Sequence, residues 1–403
     1  MDENLVNYIL QQYTAGQVDP VVTTKSHHSV QSQYKYDNEE QEHIIPKYNL
    51  SIINRDEVAT MLEDPNWQSD LFRLHGFTNC RSLTFATYSI FQTRGFFQPG
   101  KINADTFMDF IMKLEDMYDP NLSYHNSIHA ADVTVSINHL LKLPAIAKRV
   151  TDLEVFALLV ACAAHDVDHP GVSNSFLVNT KHELANLYYE SPCERHHIYT
   201  VEHILKHERW DITKHLSSKE HRQFFQMMEA FIIGTDCTKH NMHLENLAKM
   251  TYDVADASLA MSNDFGKRSQ FLSSLVHMCD IGNPTKKFDL YEIWIDRIMN
   301  EFFNQGDQEE IRGIPISPMC NSKTTNVTEC QIGFINFLVM PTWILMENLI
   351  APEIQEIMDN LRTNKSILIK RSRKELSTTD TTTETTVTSE ETSEADLYSS
   401  SSS

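Results

Sequence analysis

The stretch TDLEVFALLVACAAHDVDHPG, at residues 151–171, decides the fold. It opens with Thr151, and Glu154 follows three residues later, which is the pattern of an N-terminal capping box. The apolar run at residues 153–164 is broken only by Glu154, as is typical of a helix buried on all sides. The sequence therefore predicts a buried helix that places His165 and Asp166 at its carboxyl end.

The helical period continues through the middle of the chain. Leu290, Trp294 and Ile298 recur at a spacing of four residues, and Gly306 is expected to end their helix. Pro341 is expected to begin or kink another helix. Alternation of the kind that marks a strand between hairpin turns is not found. These patterns predict an all-α fold, with one domain at residues 55–370.

The two ends of the chain differ from this middle in composition. Residues 1–54 are polar and show no sustained period, so we expect a weakly ordered N-terminal arm. Residues 371–403 are rich in serine, threonine and glutamate and end in a serine run. Such a segment has little apolar surface to bury, so we expect a disordered acidic tail.

Charge and composition exclude several classes of protein. The formal net charge of −21 argues against a nucleic-acid-binding surface. The apolar run at 153–164 is shorter than the roughly 20 residues of a membrane span, and the start carries no secretory signal. Seven cysteines with no CxxC pair fit reduced thiols in a cytoplasmic protein. The sequence does not decide the oligomeric state, and a homodimer is compatible with it.

Histidine and aspartate residues cluster at three places. His125 and His129 are four residues apart, so on a helix both could point into one cavity. His165 and Asp166 follow the buried helix, and Asp280 ends the later stretch HMCD. Such imidazole and carboxylate donors suit a divalent metal and favour phosphoester hydrolysis over redox chemistry. Hydrogen-bonded core histidines would explain one of the pairs His125/His129 and His165/His169, but not both pairs together with Asp280, so we predict a metal site.

Several long segments, in this order, resemble the catalytic domain of the class I 3′,5′-cyclic nucleotide phosphodiesterases, most closely the cAMP-specific members. They are YHNSIHAADV (124–133), HDVDHPGVSNSFLVNT (165–180), GTD (234–236), HMCDIGNPTK (277–286), EFFNQGD (301–307) and QIGF (331–334). The similarity covers residues from about 55 to about 365, nearly the whole of the predicted domain. The family fold implied is a compact bundle of about sixteen helices.

The resemblance implies two divalent metal ions. His129, His165, Asp166 and Asp280 would hold the tighter ion, expected to be Zn²⁺. Asp166 would also bridge to Mg²⁺ or Mn²⁺, otherwise bound largely through water. Four further residues would position those waters: His169, Glu194, Thr235 and Asp236.

The resemblance also implies a reaction and a nucleotide pocket. A metal-activated hydroxide would attack the cyclic phosphorus, and His125 would act as the general acid that protonates O3′. Gln331 would bind the purine edge between Phe334 and Ile298, while Tyr124 is ambiguous between pocket and core. Asn283 stands where cAMP-selective members carry asparagine, so cAMP is favoured over cGMP as the small-molecule substrate.

Two other functions compete with this hypothesis. Another phosphohydrolase of the wider His-Asp helical superfamily would share the four ligands, but would need no clamp of the Gln331 and Phe334 type. A catalytically inactive cyclic-nucleotide-binding protein would be expected to lose a ligand or the acid. All four ligands and His125 are present, so the hydrolase is preferred.

Overall fold

The regular structure consists of helices throughout residues 55–252 and 265–394, the ranges that the computed structural model describes. The first helices are α1 (Arg55–Glu63), α2 (Leu71–Phe77), α3 (Ser82–Thr93), α4 (Ala104–Asp116), α5 (Ser127–Leu140), α6 (Pro144–Ala147), α7 (Asp152–Ala164), α8 (Asn174–Asn179) and α9 (Glu183–Leu187). They are followed by α10 (Pro192–Leu205), α11 (Ser218–Ile233), α12 (His240–Tyr252), α13 (Phe265–Asp280), α14 (Phe288–Ile311), α15 (Val327–Phe334), α16 (Met340–Ile350) and α17 (Gln355–Glu394). The all-α prediction is confirmed, while the expected N-terminal arm, residues 1–54, lies outside the described residues.

Helix α7 is the centre of the bundle. Its capping box forms as predicted: the Thr151 hydroxyl accepts the Glu154 N–H, and the Glu154 carboxylate accepts the Thr151 N–H at 2.8 Å. Every residue from 154 to 164 is buried, with α5 and α11 packed against the helix. Each large apolar side chain buried in this way contributes about 1.5–3 kcal/mol. This packing fixes the carboxyl end of α7, where His165 and Asp166 follow.

Helix α5 begins beside that end of α7. Asn126 is its N-cap, and the side chain accepts the backbone N–H of Ile128 at 3.0 Å. Almost all of α5 is buried, which places His129, in the first turn, inside the molecule. Helix α13 ends at Asp280. One helix start and two helix ends therefore carry the predicted metal ligands.

Gly306 does not end a helix, as the sequence suggested, but lies inside α14, which continues to Ile311. A β-carbon added at Gly306 would lie 1.9 Å from the carbonyl oxygen of Cys320. Glycine is needed here because the segment that carries Cys320 crosses the helix at contact distance. The expectation was wrong because it considered only the local chain.

Helix α15, a π-helical segment at Ile335–Val339 and α16 form one continuous run. This run, Val327–Ile350, is long and apolar enough to cross a membrane by length and composition alone. Trp343 and Met346 are fully buried in the core, however, and α12 packs against α16. Pro341 lies in the first turn of α16, as predicted. The run therefore packs as a core helix of the bundle.

Helix α17 extends beyond the predicted domain end at residue 370. Ile357, Leu361 and Leu368 anchor its first half in the core. Ser372 is also buried, and Glu375 accepts a hydrogen bond from the Thr328 hydroxyl at 2.8 Å. The backbone is helical to Glu394, and extending an anchored helix avoids the cost of nucleation. Residues 395–403 of the expected acidic tail lie outside the described residues, and its disorder stays a prediction.

Candidate metal centre and adjoining cavity

Two imidazoles and two carboxylates from α5, the end of α7 and the end of α13 meet at one point. The Nε2 atoms of His129 and His165 are 3.2 Å apart. Asp280 Oδ1 lies 3.0 Å from the first of these nitrogens, and Asp166 Oδ2 lies 3.0 Å from the second. One donor atom from each residue falls within 4.8 Å of the other three. We call these four residues the cage.

The cage requires a positive charge. His165 Nδ1 lies 2.8 Å from the carbonyl oxygen of Cys162 and must donate to it, so in a neutral ring Nε2 is a bare lone pair. That lone pair faces carboxylate oxygens. Burial alone would lower the pKa of His165, but Asp166 and Asp280 outweigh it and hold this pKa well above the usual range. A second proton or a metal ion satisfies the carboxylates, and the donor set of two nitrogens and two oxygens suits a divalent metal.

The outer side of Asp166 faces further polar groups. Its Oδ1 lies 3.8 Å from His197 Nε2, while His197 Nδ1 contacts the carbonyl oxygen of Val167 at 2.7 Å. Burial, followed by the charge of Asp236, raises the pKa of Glu194 to about 8. A cation placed beside these carboxyls would relieve their repulsion and favour the ionised form of Glu194, so the outer side of Asp166 can accommodate a second cation.

His125 lies beside the cage and is held by Glu301. The Glu301 carboxylate contacts the ring Nδ1 and also accepts the backbone N–H of His125 at 3.1 Å. The His125 ring stacks on His169, with 4.0 Å between the ring centres. Burial alone would lower the pKa of His125, but Glu301, with Asp166 and Asp280, raises it to about 9. The ring is therefore an imidazolium at neutral pH, and Nε2 is its remaining donor.

Two amide side chains line the apolar part of the cavity, and a tyrosine hydroxyl fixes each of them. Tyr291 donates to Gln331 Oε1 at 2.9 Å, and Tyr124 donates to Asn283 Oδ1 at 2.6 Å. The Asn283 NH₂ group is buried and has no partner among the described residues. Within the part of the chain that the structure describes, Gln331 Nε2 has only a sulfur contact, with Met299 at 3.9 Å. Both amides can therefore donate to a ligand.

The structure brings the predicted site residues together. The following line one cavity: Tyr124, His125, Asp166, His169, Glu194, Thr235, Asp236, Asp280, Asn283, Ile298, Gln331 and Phe334. His129 and His165 are fully buried behind its wall. Ile298 and Phe334 are partly buried and pack on the core. The side chains thus share one site, whereas the role of each stays a prediction.

Sequence reasoning missed three residues of this site. Glu301 was quoted only as part of a matching segment, and nothing in the local sequence indicates that it pairs with His125. Tyr291 fixes Gln331 from another helix, and nothing in the local sequence marks His197 as a neighbour of Asp166. The sequence offers one signal for Glu301, its position four residues after Arg297 on the predicted helix. The same spacing of opposite charges is also found on solvent-exposed helix faces, so it does not identify a site residue.

An all-α bundle with a His/Asp cage opening on a mostly apolar cavity defines a class of metal-binding helical domain. Residues 124–361, more than half of the chain, match the family model described as 3′5′-cyclic nucleotide phosphodiesterase. The chain belongs to this family.

Three similar proteins carry cAMP in their names, and each matches over 325 residues, or 80% of this chain. A 3′,5′-cyclic-AMP phosphodiesterase 4C of Mus musculus is 40% identical, and the match covers 47% of its length. The protein of the same name in Rattus norvegicus is 40% identical, with 61% covered. A 3′,5′-cyclic-AMP phosphodiesterase, isoform F, of Drosophila melanogaster is 38% identical, with 49% covered. The chain thus spans roughly half of the length of these relatives.

Proposed function

We propose that this protein hydrolyses a 3′,5′-cyclic nucleotide to the 5′-monophosphate, with cAMP preferred over cGMP. The observation that carries the proposal is the four-residue cage, which lies with the imidazolium of His125 in one cavity. Family membership and the names of the relatives support it. All seven cysteines are free thiols, which supports a reducing, cytoplasmic location. A homodimer stays a prediction.

His129, His165, Asp166 and Asp280 would hold Zn²⁺, and the outer oxygen of Asp166 would hold Mg²⁺ or Mn²⁺. The donor types support this division, since imidazole suits zinc and magnesium prefers carboxylate and water. When bound, the two ions would supply an activated water and neutralise charge on the phosphoryl oxygens. His169, Glu194, Thr235 and Asp236 would position water around the second ion.

His125 would protonate the leaving O3′ of the cyclic phosphate. Glu301 occupies Nδ1, so Nε2–H is the donor left for the substrate. The raised pKa, about 9, keeps this proton in place at neutral pH. Because Glu301 also binds the backbone at His125, the ring is oriented before substrate arrives, which lowers the cost of reaching the transition state.

The two fixed amides support adenine as the base. Adenine presents acceptors at N1 and N7, whereas N1 of guanine carries a hydrogen. The Gln331 and Asn283 NH₂ groups, left free by Tyr291 and Tyr124, would donate to these two acceptors. Phe334 would stack on one face of the ring and Ile298 would pack on the other. In cGMP, a protein NH₂ group at this position would face the N1–H of guanine, which is also a donor. This contact would disfavour cGMP.

Product analysis tests the proposal. The purified chain is incubated with cAMP or cGMP at low concentration, with zinc and magnesium added, with and without a chelator. We expect 5′-AMP as the product, faster turnover of cAMP, and loss of activity with the chelator. Faster turnover of cGMP would overturn the nucleotide preference, and an unchanged cyclic nucleotide in the metal-loaded sample would overturn the activity.

A linear nucleotide triphosphate serves as the rival substrate in the same assay. Its hydrolysis, with both cyclic nucleotides left intact, would favour another His-Asp phosphohydrolase. Asp280→Asn is the matched negative control, because it retains the shape of a cage ligand and removes its charge. The control should lose both bound metal and turnover.

A further inference from the structure

Lys286 is a buried cation that the proposed chemistry does not use. Only 1% of its side chain is exposed. Its Nζ lies 2.9 Å from Asp132 Oδ1 and 2.8 Å from the Ser136 hydroxyl, and 4.8 Å from the centre of the Trp67 ring. Asp132 is therefore not a member of the cage, although His129 lies only one turn before it on α5.

The contact joins two parts of the site. Asp132 and Ser136 belong to α5, which carries His129 in its first turn. Lys286 follows a 3₁₀ turn at Asn283–Thr285, which in turn follows Asp280 at the end of α13. The ion pair thus fastens the segment that carries Asn283 to the helix that carries a cage ligand.

Two further contacts hold the same segment from other directions. Trp67 Nε1 donates to the Thr285 hydroxyl at 2.8 Å. Asn364, on α17, donates to the carbonyl oxygens of Pro284 at 2.8 Å and Lys286 at 2.7 Å. These contacts and the ion pair form what we call the clasp. The backbone after Asp280 is fixed on three sides, and Asn283 projects from it into the cavity.

Stability alone does not account for the ion pair. Removing two charges from water is costly, and a buried pair often stabilises a protein no more than apolar residues would. Here Asp132 Oδ2 is also buried without a hydrogen-bond partner among the described residues, which adds to the cost. A directional contact does, however, fix a position more narrowly than apolar packing, and the position it fixes is that of Asn283.

We infer that Lys286 is a positioning residue for nucleotide recognition: through the clasp it holds the Asn283 amide in register with the purine. This inference rests on the proposed function, in which Asn283 binds the base. Lys286 does not touch the substrate. Its loss moves Asn283 away from the base while leaving His125 and the cage in place. The purine is then no longer held with N1 opposite the Gln331 donor, the contact that discriminates against guanine, so binding and selectivity change more than turnover does.

The test is the double variant Asp132→Asn with Lys286→Met, which removes both charges and leaves no buried ion unpaired. We expect KM for cAMP to rise about tenfold and the cAMP-to-cGMP ratio of kcat/KM to fall about tenfold, the effect of one lost base contact. The kcat at saturating cAMP and the bound metal content should stay within about threefold of the parent protein.

A second ion pair, with Glu154 buried and Arg268 partly exposed, gives the control. Arg268 binds Glu154 and the carbonyl oxygen of Arg149 near the start of α13, twelve residues before Asp280 at its end. Arg268→Met with Glu154→Gln should lower the thermal midpoint and leave the cAMP-to-cGMP ratio unchanged. Thr285→Val is a milder clasp variant, which removes the hydroxyl that accepts from Trp67. It should lower the cAMP-to-cGMP ratio of kcat/KM, and it provides the test if the double variant does not fold.

The outcomes separate the inference from the proposed function. If the clasp variants lose thermal stability but keep the parental KM and ratio, Lys286 is only structural and the inference is wrong. Asn283→Ala is measured beside them. A lower ratio in Asn283→Ala, with an unchanged ratio in the clasp variants, overturns the inference alone. An unchanged ratio in Asn283→Ala removes Asn283 from the proposed base site, and the inference with it.

Discussion

Glu301 contacts His125 twice, at the ring and at the backbone, from 176 positions further along the chain. One carboxylate oxygen meets the ring Nδ1, while the other accepts the backbone N–H groups of His125 and of Tyr124, the latter at 2.9 Å. Glu301 therefore determines both the orientation and the charge of the His125 ring. This pair leads to the first three predictions.

His125→Ala should remove the proton donor and leave the cage intact. We expect kcat for cAMP to fall by about 10²–10⁴-fold, the usual contribution of a positioned general acid. Zinc content, measured by elemental analysis, should match the parent protein, since His125 is not a cage residue. His203→Ala changes an exposed histidine of α10 and is the control. Parental turnover in His125→Ala would refute the acid role.

Glu301→Gln should shift the pH dependence of turnover. Burial lowers the pKa of His125 and Glu301 raises it to about 9, so removing the carboxylate charge lowers this pKa. The active acid is the protonated ring, and the decline of kcat at high pH should therefore begin at lower pH in the variant. A pH profile from 6 to 10 measures the shift. If kcat begins to decline at the same high pH in the variant and in the parent protein, the pairing is contradicted.

The same pair makes folding stability depend on pH. The pKa of His125 is raised above 6.5, so its stabilising effect is complete below pH 6.5 and is lost as the pH rises through about 9. Burial raises the pKa of Glu301, but His125 outweighs it and lowers this pKa to about 2, so its effect is lost only as the pH falls from 4.5 through 2. Between pH 6.5 and 9, the thermal midpoint should decline more in the parent protein than in Glu301→Gln.

Tyr291→Phe should weaken nucleotide selectivity. Without the hydroxyl at 2.9 Å, Gln331 Oε1 is no longer fixed, and the amide can rotate to accept from N1–H of guanine. We expect the cAMP-to-cGMP ratio of kcat/KM to fall about tenfold, mainly through better turnover of cGMP. Tyr88→Phe, which packs among Phe97 and Phe107, is the control. Equal ratios in the two variants would exclude a role for Tyr291 in selectivity.

Gly306→Ala should destabilise the fold. The added carbon meets the Cys320 carbonyl oxygen at 1.9 Å, and overpacking of this kind costs about 1–3 kcal/mol. Gly76→Ala is the control, because no atom lies within 4 Å of its added carbon. There we expect a gain of about 0.5–1 kcal/mol from the better helix former. Urea unfolding measures both, and a neutral Gly306→Ala would contradict the close crossing.

The features that the sequence predicted correctly depend on residues that are close together in the chain. The capping box at Thr151 and Glu154 and the buried run that follows are local patterns, and both are confirmed. The ligands could be proposed because they occur in dense groups, and because their segments match a known family in order. Family resemblance supplied the long-range arrangement that local patterns lack.

Features that depend on distant residues escaped prediction. The sequence predicts a helix end at Gly306 because it does not show that the Cys320 carbonyl lies against this residue. The pairing of Glu301 with His125 depends on how α14 packs beside the start of α5. The burial of Lys286 is likewise invisible in the sequence, because lysine is among the residues least often buried.

The cage residues come from chain segments up to 151 positions apart. An ion that binds them ties three helices together in the manner of an internal cross-link, which an unfolded chain cannot offer. Binding of this kind favours the folded molecule by mass action. We therefore expect the cellular abundance of this protein, and not its catalytic rate alone, to follow the supply of divalent metal.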